Sequence, residues 1–331
     1  MTGVLPNKHR DITFDIMKGI GIVLVMTCHF FGWNHPWLAR VILSFHMPMF
    51  FIVAGYFSKS YSEVTDKWTA VMKYAKRLWL PYLFVMFITM SWFCLMGVVK
   101  SDWGDARREL FSLFWAEATP LPTNFGTLSI GVVWFLLALF WAKVYLLLLS
   151  KWENLLLPVS LLLSMGTLIL HGIFPYIPWC LLMGFMALPF VVMGWWVRRN
   201  QLPMWWIKFV SVVAWALAIV FVRFDMYTYT WEYYPLGLLG ACGGTWMLYL
   251  LCRWIAQNLR LTARVFAQLG MASLAIMCFH CFELSSHLGN HLKALVGLEL
   301  PTWGLYLWRY GITILLAILV IHTPKLKNLF V

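Results

Sequence analysis

The chain has 331 residues, of which 62% are apolar and 11% charged, against about a quarter charged in a soluble domain. Its mean hydropathy is +0.77 and its net charge +12. A soluble globular domain is excluded. The cations sit in short segments between apolar runs, so they read as topology determinants and phosphate binders rather than as a nucleic-acid surface.

A spanning helix needs about 20 apolar residues, and ten segments qualify: 12–33, 38–58, 78–99, 129–150, 154–171, 178–197, 204–222, 235–252, 270–290 and 302–322. The expected fold class is all-α, a polytopic integral membrane protein of about ten transmembrane helices. The N-terminal stretch MTGVLPNKHRD is polar and carries no evident cleavable signal. With the N-terminus placed in the cytoplasm, inner segments carry fifteen Lys and Arg, among them Lys8, Arg10, Lys325 and Lys327, against five in outer loops. That bias predicts both termini inside. A single domain, 1–331, is expected, with no internal repeat.

The first span, ITFDIMKGIGIVLVMTCHFFGW, holds Asp15, Lys18 and His29 at membrane depth, where ionisable groups are costly and usually face a bundle interior or a wet cavity. Lys18 and His29 are eleven residues apart, which places them within about 20° of one helix face and about 16 Å apart along it. Asp15 precedes Lys18 by three residues and can pair with it. This pair is open to two roles, a structural pair with Lys18 snorkelling to the rim or an anion-orienting group. The second span carries His46 and Pro48. A mid-span proline frees a carbonyl that something must satisfy, and a histidine beside such an irregularity suits a cavity wall. Lys73, Lys76 and Arg77 stand at the inner mouth of the third span, where they are either topology charges or a clamp for nucleotide phosphates. A short amphipathic stretch, Arg107 to Ala116, is expected on the outer surface. In the fourth span Trp134 reads as core. Pro158 and Pro189 are possible kink sites in the fifth and sixth spans. In the ninth, His280, Glu283 and His287 fall on one helix face. Glu283 could orient His280 or pair with Arg309, and the spacing does not rank the two. Cys278 and Cys281 flank His280 but supply too few ligands for zinc, so no metal site is expected.

Taken together, the segments FDIMKGIGIVLVMTCH (14–29), SFHMPMFFIVAGYF (44–57), KRLWLPY (76–82), VWFLLAL (133–139) and GMASLAIMCFH (270–280) resemble the membrane-bound acyltransferase 3 family. The family O-acetylates sugars and other cell-envelope molecules. The fourth segment is similar to the fucose-type O-acetylase branch. The resemblance implies a basic residue and an essential histidine on the first span, here Lys18 and His29. Lys18 stands where many relatives have Arg, Cys28 where many have Gly, and Tyr74 at the first place of an Arg-x-x-Arg pattern whose second place is Arg77. No SGNH-type hydrolase domain is evident, so a later transfer step would use a partner or the same membrane site.

That resemblance implies transfer of an acetyl or other acyl group from cytoplasmic acyl-CoA, acetyl-CoA first, to a hydroxyl of a cell-envelope polysaccharide or lipid-linked sugar. Lys73, Lys76 and Arg77 would hold the nucleotide. His29 would act as general base or transient acyl carrier, and His46 or His280 would donate to the oxyanion. Lys18, Asp15, His46, Glu283 and Trp134 complete the candidate set. The expected setting is a bacterial cytoplasmic membrane, in which an oligomer is possible. The rival function is a transporter or flippase for an envelope precursor.

Overall fold

The computed structural model describes residues 11–32, 34–121, 126–200 and 205–330, without the side chains of Ile207, Lys208, Lys325 and Lys327. Several expectations reach beyond these limits: Lys8, Arg10, the side chains of Lys325 and Lys327, the end of the first span at residue 33 and the start of the seventh at 204.

Within the described residues the chain is helical apart from one small hairpin. The helices are α1 (Ile12–Phe31), α2 (Pro36–Leu43), α3 (His46–Tyr56), α4 (Lys67–Lys100), α5 (Gly104–Trp115), α6 (Trp134–Leu149), α7 (Glu153–Ile173), α8 (Leu181–Asn200), α9 (Trp205–Phe221), α10 (Tyr234–Asn258), α11 (Arg260–Met271), α12 (Ser273–Ser286), α13 (Leu288–Leu295), α14 (Thr302–His322) and α15 (Pro324–Phe330). A 3-10 turn, Gly131–Val133, leads into α6. Strands β1 (Phe224–Asp225) and β2 (Thr230–Trp231) pair antiparallel, Phe224 opposite Trp231 and Asp225 opposite Thr230. Helices dominate because hydrocarbon offers the backbone no hydrogen-bond partners, so each span must satisfy its own.

Eight described helical stretches are long and apolar enough to cross a membrane, α2 and α3 counting as one, and the pair α11 and α12 makes a ninth span bent by 66°. The shorter apolar stretch Phe209–Phe221 of α9 occupies the seventh expected span. All ten expected segments thus lie on helices, and the chain is an all-α polytopic membrane protein. Pro158 and Pro189 lie inside continuous helices. The expected amphipathic stretch is α5, which buries Ala106, Glu109 and Ser112 and exposes Leu110, Phe111 and Phe114.

The centre is α6, buried on nearly every side from Trp134 to Leu147, as a helix apolar all round must be. Around it α4, α8, α12 and α14 contribute to one continuous core. Burial alone does not drive helices together in lipid, so close packing of small residues carries much of the association. A methyl added at Gly19 would lie 2.0 Å from the Phe266 carbonyl oxygen, and one at Gly270 1.8 Å from that of Asp15. Backbones of α1 and α11 therefore touch directly beside Lys18. Gly55 and Gly194 do the same for α3 and α8.

The second expected span is broken. Helix α2 ends at Leu43 and α3 restarts at His46. Pro48 lies in the first turn of α3, where its missing N–H would have had no helical partner. The break precedes the proline because that ring disfavours a continuous helix on its N-terminal side. One carbonyl at the break, that of Ile42, is held by the His46 ring at 2.9 Å.

Candidate active site

Inside the bundle runs a cavity of about 1250 Å³, larger than the roughly 300–1,000 Å³ of small-ligand pockets. At one end lie Lys59, Glu63, Asp66, Thr69, Lys73, Tyr74, Arg77 and Lys143. Lys18, Phe50, Leu136 and Leu139 line its middle. His29, His46, Gly32, Ser129, Asp225, Tyr227 and Thr228 line the other end. Lys18 and His29 both face it, as their shared stripe requires.

Helix α1 presents its residues on a well-started scaffold. Asp11 caps it, accepting from the Thr13 N–H at 2.9 Å. Asp15 is buried and paired with Lys18 at 2.8 Å. It does not line the cavity itself; it holds the Lys18 ammonium toward it. His46 also faces the cavity. A carbonyl can only accept, so the 2.9 Å contact with Ile42 requires the proton on Nδ1. The neutral ring then offers a bare Nε2. In that form His46 accepts a hydrogen bond and cannot donate to an oxyanion.

His280 lies behind His29 with ring centroids 5.4 Å apart, and at the same separation from Tyr310. It is fully buried and does not line the cavity. Glu283 is not its partner. Arg309 donates to both Glu283 oxygens, Nε at 2.7 Å and a terminal nitrogen at 2.8 Å. This buried, forked pair ties α12 to α14, and removing either partner would strand a charge in the core. The expected single face of His280, Glu283 and His287 does not form. Helix α12 ends at Ser286, and His287 follows it, exposed, with φ +50°.

At the inner mouth Lys73 and Arg77, four residues apart on α4, both line the cavity, whereas Lys76 points away. Sequence reasoning missed Lys143. It sits on α6 with its Nζ 4.9 Å from the centre of the Tyr74 ring, and its only signal was a lone lysine inside an apolar span. Trp134, read as core, is buried and also contributes to the cavity wall. Asp225, Tyr227 and Ser129 were missed as well, because they lie between spans or at the edge of one, where polar residues are ordinary.

A polytopic helical bundle enclosing a passage, with cations at one end and histidines toward the other, is built for handling a molecule inside a membrane. The chain belongs to the acyltransferase family: residues 11–322 match its model, described as an acyltransferase domain. It is therefore a membrane protein of that family. It is also similar to nodulation protein NolL of Sinorhizobium fredii, 31% identical over 122 residues, 33% of this chain and 33% of the relative. To NolL of Mesorhizobium japonicum it is 29% identical over 157 residues, 45% of this chain and 38% of the relative. In these matches the chain spans little more than a third of the relatives' length. No solved structure is significantly similar to it.

Proposed function

We propose that this protein moves an acyl group, acetyl in the simplest case, from cytoplasmic acyl-CoA to a hydroxyl of a cell-envelope glycan or lipid-linked sugar. The observation that carries it is the single cavity joining Lys73, Arg77 and Lys143 at one end to His29 and His46 toward the other, with Lys18 between. Phosphate oxygens of the nucleotide suit the cationic mouth, where an Arg fork and two ammonium groups converge. The pantetheine arm then runs up the cavity past Lys18, and the thioester lies near His29.

His29 takes the proton of the acceptor hydroxyl as that oxygen attacks the thioester carbon, and the thiolate of CoA leaves as the ester forms. A covalent route, in which His29 first accepts the acyl group, uses the same residue. His46, presenting an unprotonated Nε2, orients the hydroxyl rather than the oxyanion. His280, away from the cavity, supports His29 from behind. The setting is a bacterial cytoplasmic membrane, with the N-terminus and the cationic mouth inside.

The test is acetyl-CoA turnover by protein in nanodiscs, wild type against His29→Ala, with binding of a non-hydrolysable CoA analogue measured alongside. Loss of a positioned base costs about 10²–10⁴-fold in rate, so turnover falls by that order while analogue binding persists. A folded wild type that binds no CoA analogue would defeat this function and favour transport of an envelope precursor through the same cavity.

A further inference from the structure

The end of the cavity away from the cations is lined in part by the β1–β2 hairpin, and that hairpin is firmly held. Trp231 stacks on Phe190 at 5.7 Å and 10°, with Phe224 against its edge. Tyr229 donates to the buried Glu117 at 3.1 Å and stacks on His171 at 3.9 Å. What the anchored hairpin turns toward the cavity is polar: Asp225, Tyr227 and Thr228, beside Ser129 from the segment before α6.

The hydrogen bonds there leave a defined set of free positions. Ser129 Oγ accepts twice, from the Tyr227 hydroxyl at 3.0 Å and the Gly131 N–H at 2.9 Å. Its own proton is left to donate. The Tyr227 oxygen, having donated, keeps lone pairs that accept. Asp225 Oδ1 accepts the Tyr227 N–H at 2.9 Å, and the carboxylate also takes hydrogen bonds from the Thr228 hydroxyl and N–H, which leaves part of its acceptor capacity open. No cation pairs with this carboxylate among the described residues, although it is half-buried in a cavity wall. One donor beside two acceptors, one of them ionic, complements neighbouring hydroxyls, each of which gives one hydrogen bond and takes another. It does not complement a phosphate, which has only acceptors to offer at neutral pH, nor an acyl chain.

We infer that Asp225, Tyr227 and Ser129 form the acceptor-binding site, holding a polyhydroxylated molecule by hydroxyls next to the one that reacts, at the opposite end of the cavity from the acyl donor. This rests on the acyl-transfer function proposed above and adds where the acceptor enters and which residues select it. Asp225 is a binding residue here. The proton of the reacting hydroxyl still goes to His29.

The experiment uses methyl α-D-glucopyranoside and glycerol as probe acceptors, with acetyl-CoA and protein in nanodiscs, following CoA thiol release and the O-acetylated product. In the wild type the glycoside accelerates thiol release and is acetylated. In Asp225→Asn the KM for the glycoside rises tenfold or more, while the KM for acetyl-CoA, bound at the other end, moves less than twofold. Ser129→Ala, on a different segment, raises the glycoside KM three- to tenfold and keeps the inference testable should Asp225→Asn fail to fold. A wild type that turns over acetyl-CoA but acetylates neither probe overturns the inference, as do variants whose glycoside KM stays within twofold of wild type. A wild type that neither binds the CoA analogue nor turns over acetyl-CoA instead removes the acyl-transfer function, and this inference with it.

Discussion

Glu117 is a carboxyl with 3% of its surface exposed. One oxygen accepts from Tyr229, and the other has no hydrogen-bond partner. Burial pushes its pKa up to about 7, against the pull of the hydrogen bonds from Ala118 and Tyr229, and burial pushes Glu109 up to about 7 as well. The sign follows from linkage. An acid whose pKa is higher in the folded chain binds more protons there than when unfolded, so stability falls as pH rises from about 4.5 to about 7. Each such group can cost on the order of 3 kcal/mol across that window, at about 1.4 kcal/mol per pH unit. Thermal unfolding in nanodiscs is therefore expected to show a lower Tm at pH 8 than at pH 5. Glu117→Gln, which keeps an acceptor for Tyr229, should shrink that difference and raise Tm at pH 8. Equal slopes for wild type and variant would show that Glu117 is not ionising in this range. Residues of this kind divide by how much their neighbours in sequence say about them. Lys18 and His29 were legible because two ionisable groups on one apolar stripe are costly unless they face something polar. Glu283 was ambiguous because its partner lies on another helix, and the forked bonds from Arg309 decide the matter. Asp225 gave no signal, since an aspartate in a loop is ordinary until the fold sets it into a cavity wall.

At the level of elements, apolar runs of spanning length located all ten segments, because membrane thickness dictates helix length. The breaks were harder to see. Pro48 pointed to an irregularity in the second span but not to its position three to four residues earlier in the chain, between α2 and α3. The 66° bend between α11 and α12 has no proline to mark it. Just before the bend α11 lies against α1, where Gly270 and Gly19 bring the two backbones together beside Asp15 and Lys18. A side chain there cannot be absorbed by a rotamer change, since the atoms in the way are carbonyl oxygens. Gly270→Leu is expected to push α1 and α11 apart, costing about 1–3 kcal/mol as overpacked sites do, and to weaken CoA-analogue binding by displacing Lys18. Gly172→Ala is the control, because a methyl there meets nothing within 4 Å. If both substitutions leave Tm and analogue binding unchanged, the close approach does not position Lys18.

For the whole molecule, the question is why one cavity should carry cations at one end and a polar hairpin at the other. The charge bias of the loops predicts the first end inside, and alternation of the spans then predicts the loop between α9 and α10 outside. Under the proposed function, a cytoplasmic donor and an acceptor on the far side would meet at His29 without either crossing the membrane whole. This arrangement makes a prediction about sidedness that needs no substrate assay. With the three cysteines that are not fully buried, Cys28, Cys94 and Cys242, replaced by alanine, Lys73→Cys and Thr228→Cys place one accessible reporter at each mouth. A membrane-impermeant maleimide applied to inverted vesicles should label the cysteine at 73 and not the one at 228, and applied to right-side-out vesicles it should label the reverse. If the nucleotide binds over Arg77 and its neighbours as proposed, acetyl-CoA should slow labelling at 73 several-fold and change labelling at 228 little. Labelling of both positions from one side would mean that the two mouths open to the same compartment. The charge bias would then have misled about topology, and the donor and acceptor would have to approach His29 from the same side of the membrane.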